Sequence, residues 1–149
     1  GSIMTALLVL AGCSFSLEAG EDAERRAFAQ KLSGLLTEYT QVNSSGQQSC
    51  LQGPTATCGE AIDRYCAMLE NFRAGLDQPP PPPEDLVGQN SNIVDVLEDF
   101  LDTCPRAQEA IRSKSASELD QAIAEFQVEH RTLNELASPI LSRLNSQDS

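Results

Sequence analysis

Residues 57–76, TCGEAIDRYCAMLENFRAGL, decide the fold class. Ile62, Tyr65 with Cys66, Leu69, Phe72 and Leu76 recur at alternating spacings of three and four, the period of one buried helix face and not of a strand. Thr57 and Glu60 form a T-x-x-E capping box, so the helix is expected to begin near Cys58 and to stop near Asp77. Cys66 falls on the buried stripe, where a disulfide can reach another helix.

The same spacing recurs on both sides of this stretch. Upstream, Phe28, Leu32, Leu35, Tyr39 and Val42 make one stripe on a helix expected over 20–42, with Glu21, Asp22 and Glu24 in its first turn and Asn43-Ser-Ser-Gly ending it. Downstream, QPPPPPEDLVGQN at 78–90 favours polyproline II and has two readings, a stiff spacer between antiparallel helices, which is favoured, and a docking strip for an aromatic groove. A third helix near 90–103 buries Ile93, Leu97, Phe100 and Cys104; Pro105 is expected to end it and open a short helix through Ile111. Ser115 and Glu118 cap the last helix, whose stripe runs Leu119, Ile123, Phe126, His130, Leu133, Ala137 and Ile140, with Pro139 expected to kink or restart it. Residues 146–149 are expected to be disordered. The sum is an all-α antiparallel bundle of about four main helices in a single domain over 20–145, stapled by disulfides. At 149 residues, with 40% hydrophobic side chains, the chain supports one core.

Ten Lys and Arg against 22 Asp and Glu give a formal charge of −12. A phosphate backbone requires a basic face, so no nucleic-acid partner is expected. Seven of the acids, and no base, lie between Gly75 and Pro105. Asp95, Asp99 and Asp102 mark the outer face of the third helix, and they are the candidate contact for a basic protein partner.

The N-terminal run Ile3 to Gly12 is apolar and uncharged, about half of the ~20 residues a membrane-spanning helix needs. Its length matches the core of a secretory signal. It ends in Leu10-Ala11-Gly12-Cys13, which resembles the lipobox of bacterial lipoproteins. That resemblance implies cleavage before Cys13 and a diacylglyceryl anchor on its thiol, with Ser14 favouring the outer membrane in a Gram-negative cell. Residues 1–12 then divide into a cloning remnant, Gly1-Ser2, and a signal peptide, and 13–19 form the lipidated cysteine and a tether. At ~3.5 Å per residue the tether holds the domain within about 25 Å of the lipid.

Export places Cys50, Cys58, Cys66 and Cys104 in an oxidising compartment, and lipidation of Cys13 leaves their number even. Eight residues along one helix separate Cys58 from Cys66 by about 12 Å, beyond the ~7 Å reach of a disulfide. Two sets remain: Cys50 with Cys58 and Cys66 with Cys104, or Cys50 with Cys66 and Cys58 with Cys104. The first is favoured, because it makes one loop staple and one bond between consecutive helices.

No chemistry-bearing motif stands out. His130, the only histidine, falls on a core stripe; there is no G-x-S-x-G elbow, no C-x-x-C pair, no E-x-x-H pairing and no calcium loop. No cofactor, no metal and no catalysis are therefore expected. The combination of lipobox, length and helical disulfide is similar in architecture to the small helical pilotins that escort secretin subunits. It implies a membrane-anchored protein that binds an envelope partner; the alternative is a small-ligand carrier or sensor with a cavity in the bundle.

Overall fold

The computed structural model describes the backbone of residues 2–147 and the side chains of residues 20 and 22–143. Four helices, α1 (Ser2–Ser49), α2 (Ala56–Asp77), α3 (Val87–Arg112) and α4 (Ala116–Gln147), follow one another in an antiparallel bundle, with a 3-10 turn at Glu84–Leu86 before α3. Each helix packs on the next and α4 returns to α1, closing a ring whose α1–α4 seam is the loosest of the four. Among the described residues no strand occurs and no helix is long and apolar enough to cross a membrane.

The stripes meet in one core. Phe28, Leu32 and Tyr39 from α1, Leu69 and Phe72 from α2, Ile93, Leu97 and Phe100 from α3 and Leu119 and Leu133 from α4 are almost wholly excluded from solvent. At Gly75 α2 packs directly against α1, and a Cβ would lie 2.7 Å from Cδ2 of Leu35. A side chain there requires the end of Leu35 to move, which offsets part of the helix propensity that a residue larger than glycine brings.

Both disulfides of the favoured set are present. Cys50–Cys58 joins the end of α1 to the first turn of α2 across a Cα separation of 4.6 Å. Cys66–Cys104 links facing stripes of α2 and α3 at 6.0 Å.

The first helix begins at Ser2 and not near 20, its backbone running without a break through 13–19, the stretch expected to be a tether. Four further boundaries differ from the sequence expectation, each for a local reason. Asn43-Ser-Ser-Gly does not stop α1, which runs two turns further to the Cys50–Cys58 bond, with the Ser45 and Ser49 hydroxyls satisfied on helix carbonyls and so not competing for the backbone at a helix end. Thr55, not Thr57, caps α2, accepting the backbone N–H of Cys58 at 3.1 Å. Pro105 lies inside a continuous α3, whose buried face continues through Thr103, Cys104, Ala107 and Ala110 and outweighs the ~3 kcal/mol that an interior proline costs. Pro139 is likewise interior to α4, where Ala137 and Ile140 stay buried on either side of it.

The proline strap is shorter than expected, since the 3-10 turn and α3 already occupy 84–90, and it is fastened to α1. Nζ of Lys31 donates to the carbonyls of Leu76, Gln78 and Pro80 at 3.3, 2.8 and 2.7 Å, satisfying acceptors that prolines and a helix end leave open. Arg25 pairs with Asp85 at 3.0 Å from the same helix. The lipobox, Cys13, the tether at 13–19 and the tail from 146 lie outside the described side chains.

Candidate binding cleft

At the end of the bundle where α1 runs past Val42, the α1–α4 seam opens into a cleft of about 400 Å³ between α1, α2 and α4. Ala61, Ile62, Tyr65, Ile123 and Phe126 form its apolar floor. Asn43, Gly46 and Gln47 of α1 face Asp120, Gln127 and His130 of α4 around it, with Cys50 and Leu51 at the α1 end. Leu51 is 80% exposed, an apolar side chain in water beside an apolar floor.

Beneath the floor lies a chain of buried hydroxyls. Tyr39 is fully buried and within 5.5 to 6.3 Å, centroid to centroid, of Tyr65, Phe72, Phe100 and His130. Its hydroxyl lies 2.6 Å from Nδ1 of His130 and 3.2 Å from the Tyr65 hydroxyl. Burial pushes the Tyr39 phenol up to about 12 and Tyr65 higher still, so both keep their protons. Burial lowers His130, favouring neutral imidazole. The order that gives every buried proton an acceptor is Tyr65 donating to Tyr39 and Tyr39 donating to Nδ1; Nε2 then carries the ring proton, and the Asn134 carboxamide, whose Nδ2 lies 3.1 Å away, accepts it when turned to present Oδ1 instead. With Nδ1 thus occupied, the imidazole offers no free lone pair as a base. Among the described residues no Ser, Thr, Cys or carboxylate shares a hydrogen bond with that ring.

A second polar group sits between α3 and α4. Oγ1 of Thr103 donates to Oε1 of Glu129 at 2.8 Å, Arg106 donates to Thr103 at 3.2 Å and pairs with Glu125 at 2.8 Å, and Oε2 of Glu129 is buried without a hydrogen-bond partner. Desolvation, reinforced by Asp99 and Glu125, raises the Glu129 carboxyl to about 7, against the Thr103 hydrogen bond and Arg106. An unfolded glutamate loses its proton near 4.3. Between that value and about 7 the folded protein holds a proton that the unfolded chain has released, so this group's contribution falls as pH rises through the window and levels off above it. Because the side chain is only half-buried, solvent discounts the effect to about 1 to 2 kcal/mol. Glu129→Gln is expected to stabilise the protein by that amount near pH 8 and scarcely at all near pH 5, read from urea midpoints; an equal difference at both pH values refutes it.

His130 is therefore placed as the sequence suggested, on the inner face of α4, but with a lining position on the cleft. Asp95, Asp99 and Asp102 are exposed along α3, away from the cleft lining; Asp99 acts on Glu129, and the neighbouring Glu98 is drawn to Arg73 at 3.6 Å. Of the described cysteines, Cys50 alone lines the cleft. The sequence reading counted Tyr39 and Tyr65 as stripe residues only and missed their shared hydroxyls. The available signal was three polar-tipped rings, Tyr39, Tyr65 and His130, at core positions of three helices. No protein-family model, no curated protein and no solved structure matches this chain.

Proposed function

We propose that this chain is a non-catalytic binding protein of the bacterial envelope, anchored by a lipid on Cys13, that takes hold of an envelope protein in the α1–α2–α4 cleft. The observation that carries the reading is the apolar floor of Ala61, Ile62, Tyr65, Ile123 and Phe126, left open between three helices. Grooves between helices receive apolar side chains from partner segments in this manner. The L-A-G-C motif and the two disulfides support an exported, anchored protein. The likeness to secretin pilotins is one of architecture and supports an escort or assembly role.

A small-ligand carrier or sensor is the second reading, favoured by the cleft volume of about 400 Å³, which falls in the ~300 to 1,000 Å³ range of small-molecule sites. Expression from the native signal in the source cell tests both. Cys13→Ser is expected to abolish labelling by radioactive palmitate and release the protein from the membrane fraction. Recovery under mild detergent is expected to yield one stoichiometric protein partner. No partner, together with a bound small molecule in the native mass spectrum, moves the assignment to the carrier. Recovery unchanged by joint replacement of Asp95, Asp99 and Asp102 with alanine removes the α3 face as the contact.

A further inference from the structure

Resting on that reading, we infer that the occupant of the cleft is a short segment of polypeptide that is both apolar and basic. Three features of the lining select it. The floor is apolar, and about 400 Å³ corresponds to roughly a dozen waters at ~30 Å³ each, released when bulky side chains enter. Above the floor, Asn43 and Gln47, one helical turn apart on α1, face Gln127 on α4, and none of these three carboxamides hydrogen-bonds another described side chain. A carboxamide offers a donor and an acceptor together, which matches the alternating N–H and C=O of a peptide backbone and is of no use to an acyl chain.

The third feature is charge. Asp120 is the one charged residue of the lining; no Lys or Arg lines the cleft, and the chain carries −12 overall. A fatty-acid carboxylate or an anionic headgroup finds no counter-charge there, whereas a Lys or Arg beside the inserted apolar residues finds Asp120. Asp120 makes no ion pair within the described structure, so it is free to take one from a partner.

Gly46 supplies the test. It lines the cleft, and a Cβ built on it meets nothing within 4 Å, so Gly46→Trp projects a ring into the opening without displacing backbone and replaces a residue that helices disfavour. Unchanged circular dichroism and thermal midpoint establish that the variant is folded. A random twelve-residue phage library is panned on the intact disulfide-bonded protein, and the enriched peptides are synthesised and titrated. The expected winners combine Leu, Ile or Phe with Lys or Arg, bind at least tenfold more weakly to Gly46→Trp, and lose about fivefold to the exposed reversal Asp120→Lys, with a matching loss as salt is raised. Dodecanoate is expected not to compete. Enrichment of acidic peptides, indifference to Gly46→Trp, no enrichment over the Gly46→Trp protein, or displacement by dodecanoate overturns the inference. A partner recovered from the envelope equally well by the Gly46→Trp protein refutes the occupant and the cleft while leaving an anchored binding protein. Failure of Cys13→Ser to release the protein refutes the anchor and leaves the peptide result untouched.

Discussion

Replacing Cys66 and Cys104 together with alanine is expected to lower the unfolding free energy by about 4 kcal/mol, while the same treatment of Cys50 and Cys58 costs about 2.5 kcal/mol. The difference follows from the chain closed by each bond, 38 residues against 8, through the entropy that the unfolded state regains. Burial does not separate the two bonds: Cys66 and Cys104 are each 5% exposed within the α2–α3 contact, and Cys58 is wholly buried although Cys50 is half-buried, so both double variants leave a gap in the packing and the closed loop carries the difference. A domain of this size is stable by ~5 to 15 kcal/mol, so the first double variant loses between about a quarter and four-fifths of the total. Urea titrations of the two double variants under oxidising conditions measure the ratio. Equal losses refute the loop-entropy account. The smaller cost at Cys50–Cys58 separates stability from function, because that bond borders the cleft and its removal frees Leu51 and the α1 end without unfolding the bundle.

The bundle was legible because four apolar stripes and two disulfide geometries depend on spacing, which a sequence carries directly. The cleft was not, and the reason is a single boundary. Reading Asn43-Ser-Ser-Gly as a stop turned Asn43, Gly46 and Gln47 into loop residues, when the two further turns of α1 make them the wall that faces α4. Serine and asparagine favour helix ends in isolation, but Ser45 and Ser49 satisfy their own hydroxyls on the helix, and the Cys50–Cys58 bond fixes the end of α1 against α2. The prolines misled in the same direction. Pro105 and Pro139 are local breakers on exposed faces, while Cys104, Ala107, Ala137 and Ile140 keep the opposite faces buried, and tertiary packing decides. Thr103, Arg106 and Glu129 come together only through the α3–α4 register, which no spacing within one helix encodes.

Tyr39→Phe is expected to cost about 2 to 3 kcal/mol although it removes one oxygen atom and keeps the ring against all four of its aromatic neighbours. The oxygen is the middle of a chain. Without it, the Tyr65 hydroxyl becomes a buried donor with no acceptor, and Nδ1 of His130 loses its donor; an unsatisfied buried group costs ~1 to 3 kcal/mol. Tyr65→Phe removes the terminal donor and leaves Tyr39 still donating to His130, so its cost is about 1 kcal/mol. The inequality between two conservative substitutions is the signature of the proposed proton order. Titration supplies a second readout, clean because His130 is the only histidine in the chain. The Tyr39 hydrogen bond holds the imidazole neutral by occupying its lone pair, in the same direction as burial, which already lowers His130. Tyr39→Phe therefore moves the His130 titration upward, toward an ordinary imidazole, and Tyr65→Phe moves it less. Equal destabilisation by the two variants, with the imidazole resonances titrating alike in both, sinks the assigned order and leaves Tyr39 as a packing residue whose hydroxyl merely finds neighbours.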